Sequence, residues 1–381
     1  MTLPTALPTW APFVPLAAWL WLLLGHGRYW HTGTRLPRRS APPRWPDVAV
    51  VVPARDEAAV LPDSLPSLLG QRYPGHAEVF LVDDGSRDGT GELARALADA
   101  RPGGLPLTVV PAGPPEPGWT GKLWAVRQGL AAARSRTGAE YVLLTDADIA
   151  HAPASLRDLV SAACAGGYDL VSLMARLRVA GRWERLLVPA FVYFFAKLYP
   201  FRRVNRPQAR TAAAAGGCVL LSVAAAERAQ VPESIRGALI DDVSLARAVK
   251  RSGSGRVWLG LADGVRSVRP YAGLPELWRM VTRSAYAQLR YSPPLLAGTV
   301  AGLAVLYLLP PAAALTGSVA GAAAWAVMTA TYVPMLRYYR QPVWTAVTLP
   351  LTAALYLAMT VDSAVRHHRG RGAAWKGRTY R

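Results

Sequence analysis

"YVLLTDADI", residues 141–149, is an apolar run of β-forming residues that ends in two aspartates. In an extended chain, positions two apart point the same way, so Asp146 and Asp148 are expected together at a strand's carboxyl end. Two adjacent carboxylates repel unless something cationic lies between them. The stretch therefore predicts a strand that delivers a carboxylate pair to a ligand site.

Its neighbours supply the frame. From residue 47 the chain alternates β-like runs (48–53, 78–84, 107–111, 140–146) with helical ones (57–70, 88–101, 121–134). Such βαβ alternation predicts an α/β fold with a mostly parallel sheet, covered on both faces, whose ligands sit at the carboxyl ends of the strands. The first strand ends in "PARDE", the second in "VDDGSRDGT" and the fourth in "TDAD", so acidic residues from separate strands converge on one crevice. Asp88 suits a turn or helix cap, whereas Asp83 and Asp84 together exceed what a turn needs.

A divalent cation such as Mg²⁺ or Mn²⁺ takes oxygen ligands and commonly joins one or two carboxylates to phosphate oxygens. Asp148 and Asp146 are the candidate metal ligands on that ground. Further on, Gly216 and Gly217 would let a backbone approach a sugar or acceptor closely, or simply turn before a strand. Asp241 and Asp242 precede a helical run at 243–251, where a helix cap explains one aspartate and not two. His151 reads as a surface or capping residue, and Cys164 and Cys218 as small buried hydrophobes in a reducing compartment.

Hydrophobic residues make up 52% of the 381, more than the α/β portion needs, and the surplus crowds two regions. Residues 11–24 form a short N-terminal anchor, spanning or interfacial, and 1–27 is set apart as that anchor. A basic Pro/Arg linker follows over 28–46, with the α/β domain over 47–292. Three apolar stretches, 295–309, 312–336 and 343–361, lie in the transmembrane region 293–362, and a basic tail closes the chain at 363–381. Arginines after the first segment favour a multi-pass protein of the inner, cytoplasmic membrane with its domain in the cytoplasm. Three C-terminal crossings would then leave the basic tail outside, unless one pair of spans is re-entrant. The net charge of +19 is scattered, without any RNA- or DNA-binding motif, so anionic lipid rather than nucleic acid is the expected partner. Residues 183–201 hold an uncharged run too short to span, suited to an interfacial helix or to a buried soluble one.

"VVPARDE", "LVDDGSRDGT", "GKLWAVRQG", "LLTDADI", "GGCVLLS" and "IDDVSLA" together resemble the family 2 glycosyltransferases, which have a GT-A fold. More narrowly, "GWTGKLWAVRQG", "AYAQLRYSP" and the flanking membrane segments look like the hopanoid-biosynthesis-associated glycosyltransferases. The resemblance implies an inverting transfer from a nucleotide-sugar, UDP-linked, to a hydroxyl of a membrane lipid of hopanoid, terpenoid or polyprenyl type. It also implies Pro53, Glu57, Asp83, Asp84, Lys122 and Asp146 on the nucleotide-sugar, Asp148 as principal metal ligand, and Asp242, with Asp241 beside it, as general base. Arg127 stands where that family usually has asparagine. Gln288 and Arg290, in "AQLRYS", depart from the Gln-x-x-Arg-Trp motif of processive members and are read as acceptor-side residues of a single transfer. A processive polysaccharide synthase and a non-catalytic nucleotide-sugar-binding membrane protein are the competing readings.

Overall fold

The computed structural model describes residues 8–370, and of the remainder only the backbone of 374–375 and 378–379. The start of the expected N-terminal anchor (1–7) and most of the basic tail (371–381) lie outside those residues, apart from that short backbone pair. An eight-stranded sheet organises the domain in the order β3-β2-β1-β4-β7-β6-β8-β5. Its first half is the expected parallel one: β1 (Val48–Ala54) lies between β2 (Ala77–Asp83) and β4 (Tyr141–Leu144), with β3 (Leu107–Pro111) outside β2.

In the second half the direction changes. The strand β7 (Val219–Ser222) runs antiparallel to both β4 and β6 (Leu170–Arg176), β8 (Val257–Ser267) is parallel to β6, and the short β5 (Ile149–His151) is antiparallel to β8. Because β7 is reversed, Val219 faces Leu144, so the start of β7 meets the carboxyl end of β4. Residues just before β7 therefore arrive at the same edge as residues just after β1, β2 and β4.

Both faces of the sheet are covered, which explains why every residue of β1 is buried. Val48, Val50 and Val52 pack with α2 (Leu61–Leu69) and α5 (Ser155–Gly166) in one core. Ala49 and Val51 pack with α4 (Gly121–Arg136) in the other. The helix α3 (Thr90–Asp99) joins β2 to β3.

Several expected boundaries move. The helix expected at 57–70 starts at Leu61, because Glu57–Val60 form a turn in which the Val60 and Leu61 N–H groups donate to the Glu57 carbonyl. The strand expected at 140–146 stops at Leu144, and a turn closed by the Ile149 N–H on the Asp146 carbonyl (3.1 Å) leads into β5. Asp146 and Asp148 therefore lie on this turn, not on one face of a strand.

Residues 183–201 are mostly one helix, α6 (Arg182–Leu198), with Leu187, Val188, Val192 and Tyr193 buried. Ahead of the apolar segments lie two short helices, Leu274–Thr282 and Ala285–Gln288, separated at Arg283–Ser284. Among the described residues three helices, all toward the C-terminus, are long and apolar enough to cross a membrane: Pro293–Leu315, Val319–Tyr338 and Val343–His368. The run 312–336 is thus divided by the turn at Gly317, whose φ of +90° suits glycine. Among its described residues the N-terminal segment forms α1 (Phe13–Leu24), 12 residues or about 18 Å, against the roughly 30 Å of a bilayer core. It packs beside the first apolar helix, where the Trp19 indole donates to the Leu306 carbonyl (2.7 Å).

Candidate active site

The carboxyl ends of the parallel strands, the start of β7 and the end of β8 enclose a cavity of about 710 Å³. Pro53, Glu57, Lys122, Asp146, Asp148, Gly216, Gly217, Asp241 and Asp242 all line it. Each arrives by its element. Lys122 stands in the first turn of α4, which Thr120 caps by accepting the Leu123 N–H (3.4 Å). The helix Asp241–Ser252 begins with its two aspartates, so both carboxylates lie in its first turn, where unpaired N–H groups favour negative charge.

Two cations divide the acidic residues between them. The Lys122 Nζ lies 2.9 Å from Asp146 Oδ1 and 3.0 Å from Asp241 Oδ2. Arg269 reaches Glu57 Oε2 (2.6 Å) and Asp148 Oδ2 (3.4 Å), and the Ser267 hydroxyl also donates to Asp148 (2.6 Å). Burial works against the charge of Lys122, but Asp146 and Asp241 outweigh it and raise its pKa. Burial raises the Asp146 carboxyl, with Lys122 pulling the other way and Asp148 adding to the rise.

Asp242 is the odd member. Its Oδ2 accepts the Gly216 N–H (3.0 Å) and its Oδ1 the Val243 N–H (2.7 Å). Burial first, then the charge of Asp241, push its carboxyl up to about 7, against the opposing pull of Lys122. A carboxyl poised near neutrality is suited to taking a proton from a bound hydroxyl. Gly216 has a reason to be glycine here: a Cβ at that position would lie 3.3 Å from the Lys122 Nζ.

The remaining expected residues stand back from the cavity. Asp83 closes the loop after β2 by accepting the Ser86 N–H (2.8 Å), and Asp84 is fully buried beside Arg55. Asp88 accepts the Ala58 N–H (2.9 Å) and so ties the first two loops together, in line with its expected turn role. Gln288 donates to the Tyr199 hydroxyl (2.7 Å) and Arg290 is exposed, and neither lines the cavity. Arg127 pairs with Glu233 (3.4 Å) over the rings of Trp119 and Trp124. His151 is neither a surface nor a capping residue. It is buried against the Thr145 hydroxyl (3.0 Å), and burial lowers its pKa to about 4, leaving it neutral.

Arg269 and Ser267 were not visible as site residues in the sequence. Ser267 ends β8 and Arg269 follows it, more than a hundred positions from Asp148, in a stretch without a motif, and the pairing of Ile149 with Ser267 brings them in. Another part of the lining was equally unmarked in the sequence: Phe191 and Phe195 of α6, with Arg279, Met280 and Arg283. This wall leans on the apolar helices, since Tyr193 bonds Thr331 (2.8 Å) and the Tyr356 hydroxyl donates to the Leu187 carbonyl (2.9 Å). One end of the cavity is therefore polar and charged, and the other is part apolar and adjoins the membrane-type helices.

Two carboxylates, Asp146 and Asp148, form an all-oxygen donor set that fits a hard divalent cation. Among the described residues no group of three or more His, Cys, Asp or Glu side chains could hold a metal by itself. A ligand's phosphate oxygens and water would have to complete the coordination.

Comparison with known proteins agrees with this geometry. Residues 49–229 match the model of glycosyl transferase family 2. An undecaprenyl-phosphate 4-deoxy-4-formamido-L-arabinose transferase of Pseudomonas aeruginosa is 31% identical over 144 residues, 36% of this chain and 38% of that protein. The protein of the same name from Aeromonas hydrophila is 34% identical over 137 residues, 34% and 37% of the two chains. The chain thus spans well under half the length of the curated relatives it matches. A mannosyltransferase of Pyrobaculum calidifontis, solved in complex with GDP-Man and Mn²⁺, superposes with a TM-score of 0.57 at 21% identity, over 95% of this chain and 99% of that one. That likeness is one of fold, and it extends beyond the matched family segment.

Proposed function

Residues 49–229 belong to glycosyl transferase family 2, on a GT-A fold, and from that premise we propose a membrane glycosyltransferase that moves one sugar from a nucleotide-sugar to a lipid hydroxyl. The observation that carries it is the placing of Asp242 in the same cavity as the Asp146/Asp148 turn, with Lys122 between the two acidic sets. The donor's nucleotide lies toward Glu57 and the first loops, and its diphosphate toward Lys122 and Arg269. UDP is the nucleotide favoured by resemblance. The acceptor enters past Phe191 and Phe195 from the side of the apolar helices, as the mixed polarity of that wall supports.

Asp242 holds the acceptor hydroxyl and takes its proton as the oxygen attacks the anomeric carbon. The bond from that carbon to the diphosphate breaks in line, so the configuration inverts and the nucleoside diphosphate leaves with the electron pair. Asp146 and Asp148 would hold a divalent cation, Mg²⁺ or Mn²⁺, which supplies charge stabilisation to the leaving diphosphate. The domain is read as cytoplasmic, at the inner membrane.

Detergent-purified protein tests this directly. Wild type, Asp148→Ala and Asp242→Ala are assayed for nucleoside diphosphate release from a panel of UDP- and GDP-sugars with Mg²⁺ or Mn²⁺ and host lipid extract. Release that needs both metal and lipid, lost in both variants while Asp242→Ala still binds donor, is expected. Donor binding without turnover under every lipid condition would instead mark a nucleotide-sugar-binding scaffold, and long products a processive synthase. The mass of the glycolipid names the sugar and the acceptor, hopanoid or polyprenyl.

A further inference from the structure

Three apolar helices in a row predict three crossings, which would put the two ends of the segment on opposite sides of a membrane. The structure gives those helices different ends. The second, Val319–Tyr338, finishes against the sheet: the Tyr338 hydroxyl donates to the Ala262 carbonyl in β8 (2.6 Å), and Arg176 of β6 donates to the Tyr338 carbonyl (2.7 Å). The third, Val343–His368, also finishes on the domain: the Trp278 indole donates to Asp362 (2.7 Å) and the Tyr286 N–H to the Ser363 hydroxyl (3.1 Å). Two consecutive helices that both end on the domain cannot each be a crossing.

The segment between them shows where the chain goes instead. After Tyr338 it turns into the tight helical stretch Val343–Thr348, which lies beside the first half of the second helix, the Trp325 indole donating to the Val347 carbonyl (3.3 Å). From Trp325 to Tyr338 measures about 20 Å at 1.5 Å per residue, and from Leu349 to Asp362 about 20 Å again. The chain thus travels some 20 Å away from the domain and the same distance back, short of the roughly 30 Å of a hydrocarbon core. Irregular backbone at such depth is tolerated where protein covers it, as Trp325 and the buried Ala346 do here.

Charge points the same way. No charged residue occurs in 291–336 or in 341–361. The exposed arginines Arg290, Arg337, Arg340, Arg366 and Arg369 all sit at the domain-side ends of the helices, whereas the far turn at Thr316–Ser318 carries none. Trp344 and Leu351 on the dipping segment are 71% and 59% exposed, which suits acyl chains as their neighbours.

We propose that only the first two apolar helices cross the bilayer, that residues 343–361 re-enter the leaflet on which the domain rests, and that the arginine collar meets anionic lipid head groups there. Arg369, and with it the start of the basic tail, then lies on the domain's side, which satisfies the positive-inside tendency that three crossings would violate. The proposal rests on the membrane reading above and is independent of the chemistry.

Impermeant-maleimide labelling of the full chain, in sealed vesicles of both orientations, tests it. Single cysteines are placed at the exposed positions Ser135, Thr316 and Arg369 on a Cys164→Ala background, since Cys218 is buried. Ser135→Cys and Arg369→Cys are expected to label from one side and Thr316→Cys only from the other. Labelling of Arg369→Cys together with Thr316→Cys overturns the re-entrant segment, and labelling of all three from one side overturns the crossing pair. Release of the protein by alkaline carbonate would remove the membrane reading itself, whatever the sugar-transfer assay shows. An antibody to a C-terminal tag, applied to intact and opened vesicles, reads the tail's side without any cysteine and is expected to agree with Arg369→Cys.

Discussion

Asp242→Asn should abolish transfer and yet stabilise the protein at alkaline pH. The carboxyl titrates near 7 in the fold, against about 4 in an unfolded chain, so the folded state holds the proton more tightly between those values. A carboxyl raised in this way contributes stability that is complete below about pH 4 and is lost as pH rises through 7. Three pH units correspond to about 4 kcal/mol at pH 8. Asparagine removes that loss but keeps one acceptor oxygen for the two N–H donors of Gly216 and Val243, a cost of about 1 to 2 kcal/mol. The expected net gain at pH 8 is roughly 2 kcal/mol, a rise of a few degrees in the unfolding midpoint. At pH 4, where wild type is protonated, only the cost remains and the variant should unfold slightly earlier. Thermal unfolding in detergent at both pH values, with nucleoside diphosphate release measured alongside, checks each part. A variant that is destabilised equally at pH 4 and pH 8 would falsify the raised carboxyl, and one that keeps its activity would remove Asp242 as the base.

Other expectations concern the same network. In wild type kcat/KM should rise with pH through a limb near 7, and Asp241→Asn, by removing the nearby negative charge that helps raise Asp242, should move that limb to lower pH. A limb that stays in place excludes the coupling. Arg269→Gln frees Asp148 of a cation 3.4 Å away, so Mn²⁺ should bind the donor-free protein about tenfold more tightly, by the 1 to 2 kcal/mol left of that contact after solvent screening. Electron paramagnetic resonance of Mn²⁺ reads this without turnover, and weaker Mn²⁺ binding would refute it. Gly129→Ala puts a methyl 2.5 Å from Val51 Cγ1 and 2.8 Å from Val82 Cγ2, so α4 must lift from the sheet at a cost of about 1 to 3 kcal/mol. Because Lys122 rides on that helix, kcat should fall together with the unfolding midpoint; a fall in stability alone would uncouple the two.

Much of this was legible because it is local. Strands β1 to β4 and the helices between them follow from apolar periodicity, and "PARDE", "DDGS" and "TDAD" sit at their ends because parallel strands stop on one side. What the sequence hides is whatever depends on a partner far along the chain. The reversed β7 reads like any short apolar run, yet its direction is what carries Gly216 to Asp242. Asp146 and Asp148 were expected to share a site through a strand's two-residue period. They share it through a turn, each held by a cation from a different element. Hydropathy sees three equal apolar helices after residue 292, because a dip and a crossing have the same composition. Only the bonds at Tyr338 and Asp362 distinguish them.

The pairing of the site also bears on how its ligands enter. Lys122 and Arg269 each hold two carboxylates, so in the free site four carboxylates share two cations. A diphosphate entering alone would compete for both cations and leave Asp146, Asp148, Asp241 and Glu57 short of partners, inside a cavity where unpaired charge is costly. A divalent cation entering alone would displace Lys122 and Arg269 from the Asp146/Asp148 turn and leave each with one carboxylate, Asp241 or Glu57, in place of two. Entering together, they exchange partners: the turn's carboxylates keep positive charge, and Lys122 and Arg269 become free to meet the phosphates. Donor and cation should therefore bind cooperatively in wild type, each raising the affinity for the other by the same factor. Calorimetric titration of each in the presence and absence of the other measures that factor. In Lys122→Met and Arg269→Gln it should shrink toward one, because the exchange loses a participant. Independent binding in wild type would mean that the two ion-paired sets do not rearrange, and that the donor's charge is met by some other part of the cavity wall.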